Sequence, residues 1–174
     1  YAFFPSVSAG WRVSEEGFWK LPESFISDLK FRASYGSLGN GNISPYMFEE
    51  RLLLSQSGRI IDGVRPQLTR APSVLPAGLT WESSTTRNVG IDLELLAGKL
   101  QFTGDAFIRE TTNMYTRGLS LPAVFGADSP RGNYADLKTT GWEMSLTWND
   151  AFNVGGKPLG YNARFTLSDY QSEI

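Results

Sequence analysis

In six stretches of this chain every second residue is apolar while its neighbours are polar or small. A period of two places a strand with its two faces in different surroundings, and no helix can satisfy it. The first stretch spans residues 3–14, where Pro5, Val7, Ala9, Trp11 and Val13 oppose Ser6, Ser8, Gly10, Arg12 and Ser14. The second, 27–36, sets Leu29, Phe31, Ala33 and Tyr35 against Asp28, Lys30, Arg32 and Ser34. The third, 87–96, sets Val89, Ile91, Leu93 and Leu95 against Asn88, Gly90, Asp92 and Glu94. The fourth, 100–109, carries Leu100, Phe102, Ala106 and Ile108 on one face; Phe107 interrupts the other. In the fifth, 140–149, Trp142, Met144, Leu146 and Trp148 align, and in the sixth, 159–168, Leu159, Tyr161, Ala163, Phe165 and Leu167 do so. Sequential strands of this kind pair antiparallel.

The connections alternate in length. Residues 15–26, Ala97-Gly98-Lys99 and a turn at Gly155-Gly156 are short, whereas about 37–86 and 110–139 are long. A soluble sandwich has no reason to sort its loops by parity, but an outer-membrane barrel does, with short periplasmic turns and long outer loops. Strands of about ten residues, rising roughly 3.3 Å each and tilted about 40°, also match an apolar band about 25 Å tall. The fold class expected is therefore all-β: an antiparallel meander of about six transmembrane strands. It forms an incomplete segment of a large outer-membrane barrel, since closure takes about eight strands at the least.

That reading sets an orientation in which strands one, three and five descend to the periplasmic side. Trp11 and Trp148 then fall at periplasmic strand ends, and Tyr35 and Trp142 at outer ends, where amphipathic rings form interface girdles. Each of these aromatics alone fits an ordinary sheet core; their agreement with the loop-derived orientation favours the girdle.

Composition removes other classes. The chain has no cysteine and no histidine, so disulfides, thiolate or imidazole metal sites, cysteine nucleophiles and a Ser-His-Asp triad are excluded. Its formal net charge of -2, without a basic cluster, gives no footprint for nucleic acid. No apolar run reaches the roughly 18 to 20 residues of a transmembrane helix. No catalytic residue, cofactor or metal ligand is expected.

Asp92, Glu94 and Asp105 share one face of paired strands, which raises paired-carboxylate hydrolysis. The plainer expectation is ion pairing along an inner wall, with Arg109 and Arg87 as partners. The long loops hold the candidate contacts for a substrate or a lid: Tyr46, Phe48, Asp62 and Arg65 in the first, beside Asn40, Asn42 and Arg70; Tyr115, Phe125, Arg131 and Tyr134 in the second, beside Asp128. Such residues stack on sugars and hydrogen-bond hydroxyls or peptide groups, and they serve equally in a structured loop packing on a partner. Gly39-Asn40-Gly41-Asn42 reads as turn chemistry, without the lysine and helix start of a phosphate loop. Residues 14–19 suggest a short helical turn capped by Ser14.

The stretches FFPSVSAGWRVSEEGFW, DLKFRASYGSLGN, LTWESSTTRNVGIDLELLAGKLQFTGDAFIRETTNMY and TTGWEMSLTW resemble, in order and spacing, the barrel of SusC/RagA-type TonB-linked outer-membrane proteins. The likeness is most specific at Leu79-Thr80-Trp81-Glu82, followed by Asn88, Gly90, Asp92 and Thr111-Thr112. It implies a 22-stranded type of barrel closed by a plug and paired with a SusD-like surface lipoprotein. It also implies coupling to the TonB complex and import of glycan or peptide substrates across the bacterial outer membrane, with outer-membrane lipid around the wall. The whole of 1–174 then reads as part of the barrel domain toward its C-terminal half. It begins within or beside a strand and carries no plug domain, TonB-box segment or N-terminal extension. Two rivals stand beside this reading: a soluble β-sandwich acting as a carbohydrate-binding or adhesin module, and a passive porin or structural barrel.

Overall fold

The computed structural model describes residues 2–22, 24–41, 45–46, 49–50, 52–70, 75, 78–122, 124, 126 and 129–174. Among these, the strands in chain order are β1 (Ser6–Arg12), β2 (Ile26–Asn40), β3 (Leu53–Gln56), β4 (Gln67–Arg70), β5 (Glu82–Leu95), β6 (Leu100–Arg117), β7 (Arg131–Val154) and β8 (Lys157–Glu173). Six of them form one antiparallel sheet in the order β1-β2-β5-β6-β7-β8, and β3 pairs with β4 in a separate two-stranded sheet. The expected six-strand meander is the one observed.

The chain divides into two compact units. The first comprises Tyr1–Gly39, Ser84–Thr111 and Leu137–Ile174. Its register keeps the alternation intact: Val7, Ala9 and Trp11 stand opposite Tyr35, Ala33 and Phe31, and Met144, Leu146 and Trp148 opposite Leu167, Phe165 and Ala163. One face is thus apolar across the sheet and the other carries Lys30, Arg32, Glu143 and Arg164. None of the described residues of this unit shelters the apolar face. Val13, at 7% exposure, is the one buried hydrophobic among the described residues, while Val89 and Phe165 are each 61% exposed. The interdigitated two-sheet core of a soluble sandwich is absent from the described residues.

The second unit comprises Asn40–Ser83 and Thr112–Asp136. Within it, β3 and β4 form a hairpin where only loop was expected, closed by the Ile61–Val64 bridge around Asp62 (φ 51°) and Gly63 (φ 78°). Two consecutive left-handed residues make a tight primed turn, for which Asp-Gly is a favoured pair.

Several boundaries differ from expectation. β7 runs over Arg131–Val154 rather than 140–149, and β6 continues to Arg117 rather than ending at 109. The second long connection therefore shrinks from 110–139 to 118–130, and the first to 41–81. Backbone pairing continues beyond the region where the two faces differ in polarity; once both faces are polar, period two fades from the sequence while the ladder goes on. At the other end, β1 stops at Arg12 and a 3-10 turn covers Val13–Glu15. Ser14 does not cap it: Arg12 holds the N-cap position, and the Ser14 hydroxyl donates to Asp28 at 2.6 Å and accepts from the Leu29 N–H at 3.2 Å.

The β7–β8 connection places two glycines, Gly155 (φ 58°) and Gly156 (φ 80°), where left-handed backbone is required. The β5–β6 turn makes the same demand of Leu96 (φ 56°) and Ala97 (φ 54°), which carry a Cβ. Since that conformation costs an L-residue roughly 1–2 kcal/mol, Ala97→Gly should stabilise the complete protein by about 0.5–1 kcal/mol after the added unfolded-chain entropy is offset. The urea midpoint of protein folded into lipid vesicles measures it; a fall would mean the turn is unstrained.

Candidate functional site

The polar face is organised around one arginine. Arg32 of β2 grips Asp92 of β5 through Nε (2.8 Å) and Nη2 (3.0 Å), and Nη2 also reaches Asp105 of β6 at 2.9 Å. The expected partners were Arg109 and Arg87. Arg87 instead contacts Glu110 on the opposite, apolar face, Nη2 to Oε2 at 3.4 Å. The reason is geometric: strand parity puts Arg87 on the side of Val89 and Ile91, away from Asp92. Gly90 makes the cluster possible, because a Cβ there would lie 2.5 Å from Asp105 Oδ1 and 2.8 Å from Arg32 Nη2.

The guanidinium bridges the two carboxylates, engaging both oxygens of Asp92 and Oδ2 of Asp105 as hydrogen-bond acceptors. The cluster fastens three strands and is unsuited to paired-carboxylate hydrolysis. Glu94 accepts a hydrogen bond from Gln101 at 3.4 Å. No group of three or more metal-ligating side chains occurs among the described residues. Phe107, the apolar interruption on this face, lies over Gly141, where a Cβ would come within 2.7 Å of its ring.

The four girdle candidates occupy the apolar face. At the turn end, Trp11 Nε1–H donates to Glu16 Oε1 at 2.8 Å, and Trp148 Nε1–H donates to the Tyr161 hydroxyl at 3.1 Å. Phe152 meets Tyr161 edge to face with centroids 6.0 Å apart. Tyr35 stands opposite Val7, and Trp142 opposite Asp169, at the middle of the lengthened β7 and not at the outer strand end expected for it. Rings with an apolar body and a satisfied polar tip suit a boundary between oil and water.

In the second unit, Asn40, Gly41, Leu79, Thr80, Trp81, Glu82, Tyr115 and Asn133 line a cavity of about 380 Å³. Its wall is set by Asn133. The Asn133 side-chain carbonyl accepts the Thr80 N–H at 3.0 Å, and its NH2 donates to the carbonyls of Thr80 (3.1 Å) and Asn113 (2.5 Å), so one amide substitutes for a strand partner. Asn113 has a positive φ of 58° and donates its N–H to Asp136 at 2.9 Å. Trp81 lies against Gly41, which has no Cβ to displace it, and is 48% exposed.

Of the expected substrate or lid contacts, Tyr115 lines this cavity. Tyr46, in a left-handed turn (φ 63°), is exposed, as are Arg65 and Arg131. Asp62 serves the hairpin turn, and Tyr134 on β7 is 52% exposed. Phe48 and Phe125, with Asn42 and Asp128, lie outside the described residues. Trp81 and Asn133, which also line the cavity, were not among the expected residues. An aromatic immediately before a strand at the loop end was a usable signal for Trp81; Asn133 had none.

Asn133→Ala removes three hydrogen bonds and leaves two backbone groups of Thr80 to find other partners. The Thr80 amide should exchange at least about tenfold faster, corresponding to roughly 1.4 kcal/mol or more. β7–β8 amides should be unaffected. Unchanged exchange at Thr80 would assign the wall to other contacts.

A family model described as TonB dependent receptor-like, beta-barrel, matches residues 1–173. The chain is 29% identical over 174 residues to TonB-dependent receptor P26 of Formosa agariphila, covering 100% of this chain and 17% of that protein. It is 28% identical over 165 residues to TonB-dependent receptor SusC of Bacteroides thetaiotaomicron, covering 87% of this chain and 16% of that protein. Among solved structures, the RagAB peptide importer in its closed-closed state superposes with a TM-score of 0.72 at 21% identity, over 98% of this chain and 18% of that one. The chain thus spans less than a fifth of the proteins it matches. The resemblance carried by its motifs and the matches agree.

Proposed function

The chain belongs to the TonB dependent receptor-like β-barrel family, and from that premise we propose that it is a wall segment of an outer-membrane importer of oligosaccharides or peptides. The observation that carries this reading is the unsheltered apolar face on a six-stranded meander. Outer-membrane lipid would cover that face, and the Arg32 cluster would line the lumen or meet a plug. The short turns at 96–99 and 155–156 would lie on the periplasmic side. Segments 41–81 and 118–130 would then lie outside the cell, where their polar and aromatic residues contact substrate and a SusD-like lipoprotein.

The cavity beside Trp81 and Tyr115 supports a contact role, since indole and phenol faces stack on sugars or pack on peptide side chains while amides hydrogen-bond them. Transport would be gated by a plug and driven through TonB, so the residues here position and contact but perform no covalent step. The relatives are named as receptors and importers.

The test uses the complete protein in its own cells. A deletion strain is grown on defined oligosaccharides and on a peptide digest as sole nutrient sources, with the gene restored as wild type or as Trp81→Ala with Tyr115→Ala. Growth on at least one source should depend on the gene, fall several-fold in the double variant and cease when the inner-membrane proton gradient is collapsed. Uptake that survives the collapse would point to a passive porin. A complete protein that stays in solution without detergent would overturn the wall itself.

A further inference from the structure

We infer that the cavity beside Trp81 takes the cationic side chain of a lysine or arginine, so that the substrate it selects is a basic peptide; the inference rests on the importer reading above. Glu82 is the one charged residue among those lining this cavity of about 380 Å³. The residue is half-buried, and its side chain has neither an ion pair nor a hydrogen bond among the described residues. Asp28, Asp92, Asp105, Glu110 and Asp150, by contrast, each hold an arginine or a lysine. A partly sheltered carboxylate without a partner gains from a cation that a ligand brings.

The rest of the lining suits the same guest. Trp81 lays its six-membered ring against Gly41 and keeps 48% of its surface exposed, and Tyr115 lines the same cavity. An ammonium or guanidinium over such a ring is attracted by the negative face of its quadrupole, most strongly for tryptophan. The methylene stem behind the charge packs on apolar surface, which Leu79 and the indole supply. An anionic guest would meet Glu82 as a like charge. A sugar ring, whose hydroxyls call for donors as well as acceptors, is served less well than the residue types suggest. Both N–H groups of the Asn133 amide are already given to the carbonyls of Thr80 and Asn113. Acceptor, ring faces and apolar floor together describe a cation on a flexible stem.

The complete protein, purified in detergent, is titrated with dansyl-labelled probes: a glycine-flanked lysine peptide, its arginine and acetyl-lysine counterparts, and tetraglucosamine. The lysine and arginine peptides should bind about tenfold more tightly than the acetyl-lysine peptide, the scale of one sheltered cation–π contact reinforced by a carboxylate. Glu82→Gln should cut that preference to about threefold or less. Raising the salt concentration should erode it in the wild type, which supplies a second reading where the variant does not fold. Equal affinity for the lysine and acetyl-lysine peptides overturns the site. So does a preference that neither Glu82→Gln nor salt reduces, or the absence of binding by every peptide. Tetraglucosamine bound more tightly than the lysine peptide would give the cavity to amino sugars and overturns the peptide assignment. Growth of the deletion strain that is unimpaired on every nutrient source overturns the importer reading, while the affinities still decide the cation site.

Discussion

Arg32→Met should lower the stability of the complete barrel by about 2–3 kcal/mol. Removing one partner of a well-sheltered ion pair costs about 3–5 kcal/mol, and the Arg32 side chain, 33% exposed, keeps enough solvent to soften that figure. The loss arises less from the missing attraction than from what remains. Asp92 and Asp105, which the guanidinium had bridged at 2.8 and 2.9 Å, would be left facing each other across β5 and β6. Neutralising both in the same background, with Asp92→Asn and Asp105→Asn, should recover most of the stability. Gly90→Val should reproduce the defect without touching a charge, since its side chain would occupy the space of Asp105 Oδ1 and Arg32 Nη2. The quantity to measure is the urea midpoint in vesicles. A loss under about 0.5 kcal/mol, the range of an ordinary surface substitution, would mean the cluster is incidental.

Ile91→Arg should cost about 2–4 kcal/mol in a lipid bilayer, the penalty of a cation near the midplane of a barrel wall. Thr103→Arg, on the polar face of β6, should cost no more than about 0.5 kcal/mol. The two positions lie on neighbouring strands within the same span and differ in the face they occupy. Equal costs in vesicles would show that the two faces meet the same environment, and the membrane-wall account would fail. Repeating the pair in detergent micelles should shrink the difference, because a micelle lets the cation reach water more readily than a bilayer does.

The strands were legible where their faces differ. Val89, Ile91 and Leu93 against Asn88, Gly90 and Asp92 could be read directly, because two environments impose a period of two. Residues 131–139 could not, since both faces there are mixed, with Leu137 the one aliphatic large side chain on one face and Tyr134 the one large ring on the other, and period two does not show. The Asp62-Gly63 turn was visible as a pair of residues, but its flanking strands, Leu53–Gln56 and Gln67–Arg70, are too short and too distant to announce a hairpin. Pairing of Asp92 and Asp105 with an arginine was foreseeable; which arginine was not. Arg32 reaches them only because β2 lies beside β5, and the intervening segment hides that register from any local reading. Ser14 misled for a related reason: its hydroxyl had a long-range partner in Asp28 that outcompetes a local cap.

That intervening segment has a consequence of its own. β2 and β5 are neighbours in the sheet although residues 41–81 separate them. The entropy of closing such a loop rises only with the logarithm of its length, by about 0.6 kcal/mol per doubling. The β2–β5 ladder and the Arg32 bridge are repaid within the strands themselves, so they place little constraint on what the segment contains or how long it grows. Such a wall can exchange that segment wholesale and still close the same seam, so on the importer reading proposed above selectivity could evolve apart from the fold.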